Sequence, residues 1–336
     1  MFLRSLRTTK ASLGSGSYGL AAHHGHHIAS HRTFSSVLGH KESDALEKWI
    51  ATPPTHTLVD YLNTEHLLDM YITLPTRDGT RRPYETPEVG APLPYGHHLG
   101  FFHARRAEPH LRADGTDEDI SPPAPFTKRM WAGGNITWNN DKPLLVGIKT
   151  YGVSSVTKSE KKGFDKGKPM LFITQKIEFL QEGSESPSIV EERSHVYFHA
   201  DMFADRPKIF DREVKGIPTN THFSLIYTPT PVTLFRYSSL MFNAHHIHLD
   251  KEYCQKEEGY PERLVHGPLT AQMLLEAVNF HYPDLKFSKF EYRATNPLFV
   301  NRELTVNGKW LNNNTIQVWC NDGATVGMTG TVQIQD

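Results

Sequence analysis

PLTAQMLLEAVNFH, residues 268–281, followed by four short alternating runs that end at residue 334, decides how this chain folds. Proline at its opening suits the first helical turn, where the missing N–H has no partner to lose. Gln272, Glu276 and Asn279 fall at i, i+4 and i+7 and make one narrow polar stripe. Leu269, Met273, Leu274, Ala277, Val278 and Phe280 cover most of the remaining circumference. Such a helix is expected to be wrapped by other structure, with its stripe at the helix surface. Residues 287–294, 303–310, 315–320 and 325–334 then read as consecutive strands, with Gly308 inside the second. The turns between them are marked by residues 312–314 and by Asn321-Asp322-Gly323. A long apolar helix ahead of four antiparallel strands predicts an α+β fold, a sheet curled around a central helix.

The first half carries an echo of this pattern. Pro143-Leu144-Leu145-Val146 opens one strand series and Pro297-Leu298-Phe299-Val300 opens the other, 154 residues later. That spacing predicts two copies of one unit, a double hotdog. In the first copy Leu171, Ile173, Gln175, Ile177 and Phe179 alternate with polar or oppositely facing residues, the period of a half-buried strand. A turn over 181–187 and a returning strand over 190–198 follow. Residues 43–49 and 58–71 are expected to be helical, while 76–95 and 107–125 read as loops. The resulting plan places an N-terminal copy at 43–205, a linker at 206–222 and a C-terminal copy at 223–336.

Composition excludes several functions. With 36 basic and 37 acidic residues, the chain shows no basic stripe, so nucleic acid is not an expected partner. Cys254 and Cys320 are too few for a disulfide framework or a Cys-rich zinc site. No run approaches the roughly 18 apolar residues of a membrane span. The N-terminus differs from the rest: Arg4, Arg7, Lys10 and Arg32 occur with no acidic residue before Glu42. Phe2, Leu6 and Leu13 would share one side of a helix there. This predicts a mitochondrial transit peptide over residues 1–40, cut after Phe34 in Arg32-Thr33-Phe34-Ser35-Ser36, and a place in the matrix. The histidines at 23, 24, 26, 27 and 31 fall inside that segment, so no metal site is expected from them.

The chemistry concentrates in FRYSSLMFNAHHIHLD, residues 235–250, and in His266-Gly267-Pro268 at the helix opening. Asn243 and His248 stand five positions apart. An imidazole titrates near neutrality and can accept and return a proton, whereas an amide can only hold a water or hydroxyl. The N–H of Gly267, at a helix N-terminus, has no helical partner and could face a developing oxyanion. The plainer reading of these three residues is a helix entry. His246 and His248 on an extended segment could both face a metal, yet no third carboxylate or thiolate has suitable spacing, and no metal or cofactor is expected. Tyr237 and Arg236, read as lying on a strand that enters the site, are candidates for substrate contact or for core and surface. Lys128, Arg129, Met130 and Trp131, ahead of Gly133-Gly134, read as a loop whose aromatic packs between the halves, or as the wall of an acyl tunnel.

Residues 235–275 resemble the MaoC-like, R-specific hydratase branch of the hotdog proteins. PPAPFTKRMWAGG, residues 122–134, is similar to the N-terminal half of double-hotdog members related to the mesaconyl- and itaconyl-CoA hydratases. With the basic N-terminus, the likeness extends to the fungal mitochondrial 3-hydroxyacyl-thioester dehydratases of type II fatty-acid synthesis. That branch carries D-x-N-P-x-H, and here Asn243-Ala244-His245-His246-Ile247-His248 stands in its place, departing at the first, third and fourth positions. The resemblance implies one active site per chain, in the second half, with a degenerate first half supplying the acyl pocket. It implies His248 as the catalytic base, Asn243 orienting the hydroxyl and Gly267 donating to the enolate. His266, Tyr237 and Trp131 are implied as substrate contacts. The expected substrate is a (3R)-hydroxyacyl thioester on acyl carrier protein or CoA, and the expected assembly a monomer or homodimer. Alternatives are a hydratase of short branched or dicarboxylic enoyl-CoA, a non-catalytic acyl-thioester binder (on account of Asn243), and a thioesterase using Glu276.

Overall fold

The computed structural model describes residues 38–199 and 210–335. The expected processing point after Phe34 and all but the last three residues of the expected transit peptide lie outside the described residues, as does the start of the expected linker. The chain opens with helix α1 (His40–Ala51), strand β1 (Thr55–Asp60) and helix α2 (Thr64–Thr73). Strands β2 (Lys128–Trp138), β3 (Thr150–Lys162), β4 (Met170–Gln181) and β5 (Ile189–Phe198) complete the first half. The second half runs β6 (Phe223–Tyr227), α3 (Pro231–Leu240), α4 (His246–Leu249), α5 (Lys251–Lys256) and α6 (Gly267–His281). It ends with β7 (Phe287–Ala294), β8 (Leu304–Asn312), β9 (Thr315–Asp322) and β10 (Thr325–Ile334).

All ten strands form one antiparallel sheet in the order β1-β3-β4-β5-β2-β7-β10-β9-β8-β6. The order reads the same from either edge once β1–β5 are matched with β6–β10. The halves therefore meet at β2 and β7, where Gly134 pairs with Tyr292 and Ile136 with Phe290. The PLLV and PLFV echo marks equivalent places. Leu93 N–H donates to Leu144 O as Val265 N–H donates to Leu298 O, both at close to 2.8 Å. Val146 N–H reaches Ala91 O as Val300 N–H reaches Arg263 O. The next residue in each copy is left-handed, Gly147 with φ 81 and Asn301 with φ 63, the residue types that tolerate that conformation.

Helix α6 is buried from Pro268 to Val278 and lies within the core cluster shared by both halves. The polar stripe, expected at the helix surface, is instead buried: Gln272 is 0% exposed and Glu276 2%. The reason is that α3 supplies a partner for Gln272 and the first half supplies partners for Glu276. Tyr237 Oη donates to Gln272 Oε1, Thr76 Oγ1 to Glu276 at 2.6 Å and Arg77 Nε to Glu276 at 2.9 Å. A thioesterase role for Glu276 loses its basis, since the carboxylate is occupied.

Two further expectations are corrected. The helix expected over 58–71 is strand β1, a left-handed Leu62 with φ 45, and then α2, capped by Asn63 Oδ1 on His66 N–H. β1 is fixed by its pairing with β3, a long-range contact that local propensity cannot show. The loop expected around Lys128–Trp131 is the start of strand β2. A register shift between Trp131 and Gly133 places a bulge at Ala132, the kind of irregularity that redirects neighbouring side chains. Gly133 (φ 153) and Gly134 sit at the seam, where a Cβ would lie 2.4 Å from Tyr292 O and 2.3 Å from Glu192 O respectively. Only glycine permits so close an approach.

Candidate active site

A cavity of about 1980 Å³ runs between the halves; His248, Asn243, Gly267 and Trp131 all line it. Much of its second-half wall is the segment between α3 and α6. Arg236 and Tyr237, read as lying on a strand, are on helix α3, with Thr230 Oγ1 accepting from Thr233 N–H and Pro231 in the first turn. The chain then turns through Phe242 (φ 48) into the short helix α4, so His246 and His248 do not lie on an extended segment. A loop of the first half buttresses this turn. His246 N–H donates to Asp114 O at 2.9 Å, and a Cβ on Gly115 (φ +81) would fall 2.1 Å from Ala244 O. His245 Nε2 stands 3.8 Å from the Asp114 carboxylate.

His248 is buried, 8% exposed, and its Nδ1 is 2.8 Å from Leu264 O. A carbonyl only accepts, so Nδ1 carries the proton and Nε2 the lone pair. Among the described residues Nε2 has no protein partner. Burial pulls the His248 imidazole down to about 4; the Leu264 bond opposes this and Arg129 adds to it. The ring is thus neutral near pH 7, the state a base needs.

Asn243 uses its side chain in a local turn, Oδ1 accepting from His245 N–H at 3.0 Å, while its own N–H donates to Ser238 O. Since the carbonyl oxygen is engaged, the amide NH2 is the end available to a ligand. Gly267 opens α6, and its N–H has no protein acceptor among the described residues. Trp131 stands across from it, its Cβ and Cγ 3.4 Å from where a Gly267 Cβ would be. The indole is fixed by Nε1–H donating to Tyr292 Oη at 3.1 Å. Trp131 therefore forms the wall facing the helix opening.

Two expected substrate contacts sit elsewhere. Tyr237 is 0% exposed within the core, bonded to Gln272, and does not line the cavity. His266 is also fully buried and off the lining; its ring stacks on His248 with centroids 3.7 Å apart at 22°. Sequence reasoning missed Ser238, Leu264, Asp114 and Gly115, which line the same cavity and hold the site residues in place. Only Asp114-Gly115, a turn dipeptide, carried a local signal. Lys128 is tied to Tyr253 Oη at 3.0 Å and to Glu258, binding β2 to α5. Among the described residues no group of three His, Cys, Asp or Glu side chains could hold a metal ion, and none of the helices is long and apolar enough to cross a membrane.

Two matched half-sheets around a single buried helix, with a neutral imidazole and a helix-opening glycine in one cavity, define a double-hotdog protein of the hydratase type. The chain belongs to the hydroxyacyl-thioester dehydratase type 2 family, which it matches over residues 96–300. It is 33% identical over 219 residues to the mesaconyl-C(4)-CoA hydratase of Chloroflexus aurantiacus, covering 65% of this chain and 75% of that one. It is 31% identical over 236 residues to the mitochondrial hydroxyacyl-thioester dehydratase type 2 of Schizosaccharomyces pombe, 63% of this chain and 76% of that one. A solved MaoC-like dehydratase from Phytophthora capsici matches with a TM-score of 0.62 at 14% identity, over 88% of this chain and 99% of that structure. That likeness bears on the fold alone.

Proposed function

We propose that this protein is a hydro-lyase that dehydrates (3R)-hydroxyacyl thioesters, carried on acyl carrier protein or CoA, to trans-2-enoyl thioesters in fatty-acid synthesis of the mitochondrial matrix. The observation that carries this reading is the His248 ring, clamped through Nδ1 to Leu264 O and with Nε2 beside the cavity, unpartnered among the described residues. His248 Nε2 takes the C2 proton, the C3–O bond breaks, and the imidazolium returns the same proton to the departing hydroxide as water. Asn243 holds that hydroxyl through its NH2. The enolate oxygen accepts from Gly267 N–H at the positive end of α6. Trp131 keeps the acyl thioester against this donor. The first half supplies the acyl pocket through Phe102, Ile177 and Phe179, which line the same cavity. Membership of the dehydratase family and the mitochondrial relative support the substrate class and the compartment. The seam between β2 and β7, which completes the hotdog pairing within one chain, supports a monomer.

Incubation with crotonyl-CoA tests this directly. Loss of enoyl absorbance without free thiol is expected. Release of thiol would make the protein a thioesterase, and no reaction with crotonyl- or longer enoyl thioesters would leave a binder. A second reading, hydration of a dicarboxylic enoyl-CoA, is favoured by the mesaconyl-type relative and by Arg129, which lines the cavity. Arg129 Nη2 lies 3.7 Å from Asp117, and Tyr197 also bonds the guanidinium. That compensation favours the first reading; turnover of mesaconyl-CoA above crotonyl-CoA would reverse the order.

A further inference from the structure

A buried imidazole with an idle nitrogen calls for a reason, because an unpaired polar atom in the interior costs free energy that a carbon side chain would avoid. His266 is such a group. It is 0% exposed, its Nε2 lies 2.9 Å from Ser238 Oγ, and its Nδ1 has no partner among the described residues. Although His266 is the N-cap residue of α6, its side chain makes no capping bond. The ring therefore serves neither the helix nor the cavity lining. What it does touch is the base: the His248 and His266 rings stack at 3.7 Å and 22°.

We propose that His266 is a positioning residue for the reaction, the platform that holds the His248 ring by its face and stabilises its imidazolium while the proton is in transit. The proposal rests on the reading of His248 as the base. Two constraints act on that ring at right angles. Leu264 O holds its edge at Nδ1 and His266 holds its face, so one orientation remains and Nε2 is left toward the substrate. A cation over the face of an aromatic ring is attracted by the ring's quadrupole, and the attraction grows when both groups are desolvated. The other groups facing His248 do not supply this. Arg129 from β2 repels a second positive charge, and the His245 ring, 5.7 Å away and edge-on, is itself held neutral by burial. Ser238 completes the arrangement: its hydroxyl fixes His266, and its carbonyl accepts from Asn243 N–H. One residue of α3 thus sets both the platform and the group that holds the hydroxyl.

The test compares His266→Phe, which keeps an aromatic face, with His266→Leu, which keeps bulk and apolarity but removes the face. Each is assayed with crotonyl-CoA. Side-chain 15N spectra at neutral pH also read the His248 tautomer, independently of activity. His266→Leu is expected to lower kcat about tenfold with KM within about threefold, the size of a desolvated cation–aromatic contact. Its His248 spectrum is expected to show a mixture of tautomers. His266→Phe is expected to recover most of kcat and the single Nδ1–H tautomer. Equal loss in both variants, or a His266→Leu enzyme with wild-type kcat and tautomer, overturns the proposal. If His266→Leu does not fold, His266→Phe decides against Ser238→Ala. Near wild-type kcat for the first with a measurable loss for the second supports the platform, and the reverse order overturns it. An ordered, stacked His248 in a wild-type protein that turns over no enoyl thioester would refute the hydro-lyase reading, while the tautomer comparison still decides the platform.

Discussion

The two halves are built from the same strands in the same order, yet the stretches that follow α2 and α3 place their polar groups differently. In the second half the segment after α3 leaves His248 Nε2 and Gly267 N–H without protein partners among the described residues, beside a cavity. In the first half the segment after α2 is closed. Thr76 and Arg77 bond Glu276, His97 Nδ1 lies 3.9 Å from the same carboxylate, and the Arg77 guanidinium sits over Tyr71 at 4.8 Å. The central helix differs likewise. Where α6 runs 15 residues, the corresponding first-half stretch PLPYGHHLG forms only the 3-10 turn His97–Gly100. Two prolines and two glycines there oppose helix propagation. A duplicated fold thus separates tasks: the stretch after α2 closes ion pairs around the central helix, and the stretch after α3 lines the cavity with His248 and Asn243.

The comparison breaks most sharply at the base. His248→Ala is expected to lower kcat about 1000-fold, the scale of lost acid–base catalysis, with folding intact by circular dichroism; an active variant ends the assignment. Gly267→Pro removes the N–H while remaining compatible with a first helical turn, and Gly267→Ala retains it. The proline variant is expected to fall about 100-fold below the alanine one in kcat, as for loss of one oxyanion donor. In the closed half, Arg77→Ala leaves Glu276 buried without its cation and is expected to cost about 3 kcal/mol in urea unfolding. Its kcat per folded molecule should stay within about threefold of wild type; a larger fall would tie the closed half to the chemistry. Asn243→Ala is expected to reduce kcat about tenfold, one donor to the leaving group, with KM little changed.

Acidification sharpens the contrast more gently. His248 and His97 are both pulled by burial to about 4, with Arg77 adding to the shift at His97. Between the usual histidine value near 6.5 and about 4, the unfolded chain binds protons that the folded one refuses, so stability rises with pH across that window. The thermal midpoint is expected to fall as pH drops from 6.5 toward 4. The His97→Phe variant should flatten the profile, and a midpoint independent of pH would contradict the neutral buried state.

Much of this was legible in the sequence. The helix at 268–281, the four strands after it and the PLLV/PLFV echo are local patterns of period and spacing, and the structure carries each of them. His248, Asn243 and Gly267 were singled out by their residue types together with the resemblance of residues 235–275 to the hydratases, and all three line one cavity. Other features were not. The stripe of Gln272 and Glu276 looks solvent-facing in one dimension, because nothing local says that Thr76 and Arg77, about 200 residues away, will cover it. Tyr237 and His266 looked like substrate contacts because neighbours in sequence were taken as neighbours in the cavity. On helix α3 and at the cap of α6 they turn inward instead.

By itself the sequence determined the periodicities, the duplication and the residue types able to move a proton and hold an oxyanion, since these depend on spacing along the chain and on intrinsic chemistry. Only the tertiary structure decided which imidazole nitrogen is free, which polar groups are matched and which face a cavity. Those properties come from contacts between distant segments: a carbonyl at Leu264 against His248, a ring at His266 beneath it, and a first-half cluster closed around Glu276. Burial and pairing are properties of such contacts, and no single stretch of residues contains them.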